Sequence, residues 1–124
     1  MSKTDSIDLK TLKSYIGNND EDVIEMIELF LQLTPSQMAQ MKISIDQNNW
    51  QSLNYIAHQI KPSLDVLGFQ TAKEKAGTIE KLSKTREEPE LIKKFVDELS
   101  EILETICTDL TNLRNQLKKK NYKG

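Results

Sequence analysis

The sequence predicts an all-α protein: an antiparallel up-down-up-down four-helix bundle with a short N-terminal helix capping one end. Apolar residues recur at helical spacing in successive segments, and short polar turns separate these segments. The chain has four glycines, three prolines and few runs of β-branched residues. Short turns favour antiparallel neighbours. A length of 124 residues with 37% hydrophobic content suits one compact domain across residues 1–124.

The predicted N-terminal helix is short and spans about residues 8–16, and the bundle follows at about residues 20–118. Asp8 is placed to cap the short helix, and Gly17 is placed to end it. A helix of this length is not stable alone in water. We therefore expect it to pack across one end of the bundle.

The first long helix is predicted to open with Asp20 as its N-cap. Its sequence is apolar around most of the helix circumference and includes Leu29 and Leu33, which predicts burial under several neighbours. The pattern continues to about Asn48. We expect a single helix that the proline after Thr34 kinks without ending it.

The next helix carries the only histidine of the chain, His58. Asn49 is its expected N-cap, and Gly68 is expected to end it, by a left-handed backbone or by close packing. His58 points roughly 155° away from the centre of the apolar stripe. The histidine is therefore predicted to face water from a rigid helix. The stripe consists of Trp50, Leu53, Ile56, Ala57, Ile60, Leu64 and Leu67.

Two further helices complete the predicted bundle. One runs from about Gln70 to Lys84, and its alanines would bring it close to the histidine helix, with close approach also the expected reason for Gly77. The other begins at Pro89. Cys107 lies near the apolar face of this last helix and is expected to be a buried, inert thiol. The inward residues of the first of these helices are Ala72, Ala76, Ile79 and Leu82.

The residues that follow His58 suit a histidine that accepts a phosphoryl group. Lys61 lies three positions on, so the two side chains are neighbours on the helix surface. The ammonium would disfavour the imidazolium form and keep the ring neutral and nucleophilic. It would also stabilise negative charge on the ring nitrogen. Pro62 and Ser63 are compact and leave room for a partner.

The run Ala57-His58-x-Ile60-Lys61-Pro62-Ser63, followed by Leu67-Gly68, resembles the signature of histidine-containing phosphotransfer (HPt) domains, A-H-x-[LI]-K-G-S and then L-G. The sequence departs from the signature at Pro62, where the family most often has glycine. Proline cannot donate to the carbonyl of His58 and is expected to bend or loosen the helix. A second, weaker similarity is the proline that ends Leu29-Phe30-Leu31-Gln32-Leu33-Thr34-Pro35.

The resemblance implies a phosphorelay intermediate. His58 would accept a phosphoryl group from the aspartyl phosphate of a receiver domain and pass it to another receiver, and Lys61 would stabilise charge. The implied partners are response-regulator receivers or a hybrid sensor kinase, with Mg²⁺ on the receiver and no cofactor on this chain. The scattered glycines form no phosphate loop, so no kinase activity of its own is expected. The implied docking or supporting positions are Gln59, Pro62, Ser63, Gly68 and Gln70.

Composition excludes several other classes of function. A net charge of −2 gives no basic face for nucleic acid. The lone histidine cannot supply a di-metal site, and no apolar run is long enough to span a membrane. A monomeric cytoplasmic protein is expected. Two alternatives remain open at this point: a non-phosphorylated helical adaptor that binds a signalling partner, and a purely structural bundle.

Overall fold

The computed structural model describes residues 9–122, and the side chains of residues 9–120. The regular secondary structure in this range is helical, which confirms the predicted fold class. The bounds of the helices lie within a few residues of the sequence-based ones, and the expected cap at Asp8 lies outside the described residues. The helices are α1 (Leu9–Ile16), α2 (Asp20–Asp46), α3 (Trp50–Val66), α4 (Gln70–Thr85) and α5 (Pro89–Tyr122).

The four long helices form a closed bundle. Each packs against the next along the chain, and α5 returns to pack against α2. Because the intervening turns are only a few residues long, successive helices run antiparallel. The most extensive contact joins α3 to α4. Ala72 and Ala76 are fully buried there and keep the two helices close, as the sequence predicts.

The start of α2 differs from the prediction in one respect. Asn19, and not Asp20, is the N-cap, and its Oδ1 accepts hydrogen bonds from the backbone N–H groups of Glu21 and Asp22. Asp20 is instead the first helical residue, where its carboxylate pairs with Lys13 of α1 at 2.8 Å. A carboxylate in the first turn also interacts favourably with the helix dipole.

The helix α2 continues unbroken through Pro35, as expected for one long helix. The expectation that its apolar residues are buried nearly all round is wrong for Leu29 and Leu33, which remain 49% and 45% exposed. Val23, Ile27 and other residues of the opposite face fill the core. Because α2 packs on α3 and α5 only along part of its circumference, the outer side faces solvent.

The turn between α3 and α4 is a tight C-terminal cap. Gly68 has a left-handed φ of +80°, and the N–H groups of Gly68 and Phe69 donate to the carbonyls of Asp65 and Leu64. A side chain at Gly68 would also meet the ring of Tyr15 at 2.8 Å. Both expected reasons for glycine at this position therefore apply.

The helix α1 lies across the end of the bundle that contains this turn. Leu12 is buried, Lys13 pairs with Asp20, and Tyr15 covers Gly68. The last helix, α5, starts with Pro89 as predicted. Its C-terminal part reaches this same end of the bundle, where Lys118 pairs with Glu28 of α2 at 2.6 Å. Within residues 9–122, no helix is both long enough and apolar enough to cross a membrane.

Candidate functional site

The side chain of His58 is exposed on the middle of α3. Its relative exposure is 67%, whereas the preceding residue, Ala57, and Ile60 are fully buried. These buried neighbours fix the rotation of α3 about its axis, because they belong to the stripe that packs into the bundle. The predicted outward position of the histidine is therefore confirmed.

The ring of His58 is held by a carboxylate on α4. Nδ1 lies 2.7 Å from Oε2 of Glu80. The pKa of Glu80 is lowered, first by the hydrogen bond from Lys61 and also by the one from His58, so the group is an ionised acceptor. An ionised carboxylate can only accept, which places a proton on Nδ1. In the neutral ring the lone pair is then on Nε2.

Lys61 binds the second oxygen of the same carboxylate. Its Nζ lies 2.7 Å from Oε1 of Glu80, so the ammonium and the imidazole share one anion. The alkyl chain of Lys61 crosses α4 at Gly77, where an added Cβ would lie 3.9 Å from Cδ of the lysine. That distance is an ordinary contact, so the expected need for close approach at Gly77 is wrong.

A hydrogen bond between α3 and α4 also fixes the position of Glu80 along the helix axis. Nδ2 of Asn54 donates to the backbone carbonyl of Glu80 at 2.7 Å, and Oγ of the buried Ser83 donates to the same carbonyl at 2.9 Å. Asn54 lies four positions before His58 on α3, so the two side chains are neighbours on the helix surface. Three side chains of α3, those of Asn54, His58 and Lys61, thus converge on one residue of α4.

Pro62 lies one turn after His58, inside α3, which nevertheless remains helical to Val66. The proline supplies no N–H for the carbonyl of His58. Its exposed ring forms part of a shallow depression of about 280 Å³ beside the histidine. This depression is lined by His58, Lys61, Pro62, Asp65 and Lys73. It is open to solvent and contains two lysines, each within an ion pair.

The remaining predicted docking positions are spread along the surface. Gln59 is exposed beside the histidine, and Ser63 is half-buried on α3. Gly68 and Gln70 lie at the turn, ten or more positions on, which is about 15 Å along the helix axis. There Nε2 of Gln70 donates to Asp65 at 3.4 Å. These two residues therefore do not adjoin the imidazole.

The sequence reasoning missed Glu80, the residue on which the site is organised. A usable signal was present: in an antiparallel pair, residues at similar distances from the turn lie opposite each other, and positions 58 and 80 lie on either side of Gly68 at comparable distances. Among residues 9–122, no group of three or more histidine, cysteine, aspartate or glutamate side chains is placed to bind a metal ion. The structure brings together an imidazole held by a carboxylate and a lysine bound to the same carboxylate.

An exposed histidine with one nitrogen bound to a carboxylate, on a four-helix bundle, defines a candidate nucleophile that a second protein can reach. Residues 25–91, just over half of the chain, match the Hpt domain family, and the chain belongs to that family. Membership implies a histidine phosphotransfer role, as a phosphocarrier in a phosphorelay. No curated protein and no solved structure shows significant similarity to the chain.

Proposed function

We propose that His58 accepts a phosphoryl group on Nε2 from the aspartyl phosphate of a receiver domain and later passes it to another receiver. The observation that supports this most directly is the geometry of the ring. Its Nδ1 is held by Glu80 at 2.7 Å, while the side chain as a whole is two-thirds exposed. The free nitrogen of a neutral ring is the nucleophile, and with Nδ1 bound to Glu80 that nitrogen is Nε2.

In the forward transfer one N–P bond forms and one P–O bond breaks. The lone pair of Nε2 attacks phosphorus, the bond between phosphorus and the aspartyl oxygen breaks, and its electron pair returns to the carboxylate of the receiver. The ring becomes positively charged because it keeps the proton on Nδ1. The carboxylate of Glu80 already accepts the hydrogen bond of that proton, so it stabilises the charge as it develops. The return step reverses these changes.

Lys61 supports the same step from the other side of the carboxylate. The ammonium is bound to Glu80 at rest, and its long side chain lies over Gly77 without obstruction. A phosphoryl group carries about −1.5 to −2 charges near neutral pH, more than one carboxylate. Lys61 would then turn from Glu80 toward the phosphoryl oxygens, and Glu80 would be left to the positively charged ring.

The partner supplies what this site lacks for catalysis. Transfer from a carboxyl phosphate needs a cation on the phosphoryl oxygens, and we assign that role to Mg²⁺ bound by the receiver. Under this proposal the chain needs no cofactor and does not phosphorylate itself from a nucleotide. The flat outer face of α3 would form the interface, since Tyr55 and Val66 expose 63% and 41% of their surface on either side of Pro62.

The test is phosphotransfer from a panel of labelled receivers, read at short times. The wild-type chain should take up label from at least one receiver, and His58→Gln should take up none. Because the His58 side chain is exposed, the variant should keep the helical circular dichroism of the wild type. Gln116→Ala, at an exposed position of α5 away from the site, provides the control and should still be labelled. Label on His58→Gln would exclude His58 as the acceptor, and binding of receivers without any labelling would favour an adaptor.

A further inference from the structure

The depression beside His58 contains a second ion pair that the phosphotransfer step described above does not use. Nζ of Lys73 on α4 lies 2.8 Å from Oδ1 of Asp65 on α3, and both side chains are more than a third exposed. Asp65 also accepts a hydrogen bond from Gln70 at 3.4 Å. Both members of the pair line the same depression as His58, Lys61 and Pro62.

A phosphoryl group on His58 would change the charge balance of this depression. Nδ1 is directed to Glu80, so a group on Nε2 projects away from Glu80 and towards the open side of α3. There it meets the electrostatic field of Asp65, an anion whose pKa is lowered mainly by Lys73 and then by Gln70. Without Lys73, the carboxylate of Asp65 and the phosphoryl group would lie in one depression as two anions, and like charges repel.

We propose that Lys73 and Asp65 form a second electrostatic subsite for the phosphoryl group carried by His58. Lys73 attracts the group, and Asp65 weakens that attraction by holding the lysine. This inference rests on the proposed function in one respect, that His58 carries a phosphoryl group. The pair is opposed in sign, so its two members act in opposite directions: removing the cation destabilises the charged group, and removing the anion stabilises it.

The opposed pair suits a carrier. A phosphocarrier must bind its phosphoryl group well enough to receive it and weakly enough to release it. Lys61 alone, freed from Glu80, would provide one cation. Lys73 provides a second one whose charge is largely cancelled at rest. Exposed ion pairs contribute little to folding. A change at this pair should therefore alter the proton affinity of the phosphoryl group more than the stability of the bundle.

The experiment uses chemical phosphorylation, which needs no receiver. The full chain is phosphorylated with potassium phosphoramidate, and the second ionisation of the phosphohistidine is followed by ³¹P NMR. Titration between about pH 5 and pH 9 brackets the last ionisation of a phosphoryl group, which lies near pH 6. A nearby cation lowers the midpoint of that titration, and a nearby anion raises it.

Lys73→Ala should raise the midpoint, with a roughly two- to fivefold increase in proton affinity, the size typical of partly exposed charge interactions. Asp65→Asn should lower the midpoint by a similar factor. The double variant should return close to the wild-type midpoint, because the two changes cancel. Lys94→Ala, which removes an exposed lysine on α5, is the control and should leave the midpoint unchanged. These opposite shifts are the signature of an electrostatic subsite.

Midpoints that agree among all the variants would overturn the inference, as would shifts in the same direction for Lys73→Ala and Asp65→Asn, since those would reflect a common distortion. Failure of phosphoramidate to label His58 would also overturn it, because the subsite would have no occupant. The proposed function fails separately. If the chain is labelled chemically and shows the opposed shifts, but no receiver transfers to it, the subsite stands and the relay role does not.

Discussion

Nδ1 of His58 and Oε2 of Glu80 lie 2.7 Å apart, although 22 positions separate the two residues in the chain. The contact joins the centre of α3 to the inner side of α4. It fixes the ring orientation and, because the carboxylate is ionised, it also fixes the position of the ring proton.

Replacing Glu80 with alanine should slow phosphoryl uptake by about tenfold to a hundredfold, the effect usual for groups that orient a reactive imidazole. Glu80→Gln should lose less, because an amide oxygen can still accept from Nδ1. Rates are measured by rapid-quench transfer from a labelled receiver. Glu74→Ala, an exposed change on the outer side of α4, is the matched control. Equal rates for wild type and Glu80→Ala would remove Glu80 from the mechanism.

Lys61→Ala should lower the transfer rate by about tenfold, the factor that corresponds to loss of one charge-assisted hydrogen bond at a partly exposed site. Lys61→Arg should retain most of the rate because it keeps the charge. Folding should change by about 1 kcal/mol, the upper end for ion pairs near the surface, because the two side chains are only partly exposed. Urea unfolding checks the stability, and an unaltered transfer rate would contradict the proposed role.

The stability that Glu80 contributes should depend on pH in the acid range. Its pKa in the folded chain is below the usual value of 4.5, so the ionised form is favoured by folding. That contribution is complete when the pH is above the pKa of Glu80 in the unfolded chain. It is lost as the pH falls through the lower pKa of Glu80 in the folded chain. The difference in unfolding free energy between wild type and Glu80→Gln should therefore shrink from about pH 5 downward. A difference independent of pH would show that the carboxylate gains nothing from Lys61 and His58.

The two glycines of the α3–α4 pair should respond oppositely to alanine. Gly68→Ala places a Cβ at a φ of +80° and 2.8 Å from the ring of Tyr15, so it should destabilise the chain by about 1–3 kcal/mol. Gly77→Ala meets only Lys61, at 3.9 Å, and should stabilise α4 by about 0.5–1 kcal/mol. Chemical denaturation measures both. In a Tyr15→Ala background, the cost of Gly68→Ala should fall without vanishing, because the backbone strain remains.

Cys107 should react slowly with thiol reagents. Burial, with a smaller effect of Glu104, raises its pKa to about 11. Near pH 8 only about one thiol in a thousand is then ionised, and the thiolate is the reactive form. Alkylation by iodoacetamide should accelerate by about a hundredfold in denaturing urea, where the pKa returns to its usual range. The structure leaves Cys107 half-buried and not fully buried as predicted, and equal rates in the folded and unfolded chain would contradict even that partial burial.

Much of the fold follows from local sequence signals. The stripe around Leu53 and Leu64, the cap at Asn49 and the proline at the start of α5 all act within a few residues of themselves, so the pattern of the chain reveals them. The outward position of His58 follows from the same stripe. One error is also local: Asn19 and Asp20 are both good caps, and only the backbone at residue 19, with φ −79° and ψ 118°, decides between them.

Contacts across the bundle do not follow from such local signals. The partners of His58 and Lys61 depend on how far α4 slides along α3, and that offset is set by the turn at Gly68 and by the packing of Ala72 and Ala76. No apolar pattern within either helix encodes this offset, and only the similar distances of positions 58 and 80 from Gly68 indicate it. The exposure of Leu29 has the same origin, since the side of α2 left uncovered depends on where α3 and α5 are placed.

Asn54, His58 and Lys61 all contact a single residue of α4, so the orientation of the imidazole depends on how α4 is aligned with α3. A partner that tilts α4 by a small angle must also turn the ring or break its bond to Glu80. The chain has one histidine, so a single histidine Hε1 resonance reports on this ring. Each docking event can then be followed in an unlabelled sample by the movement of one NMR line.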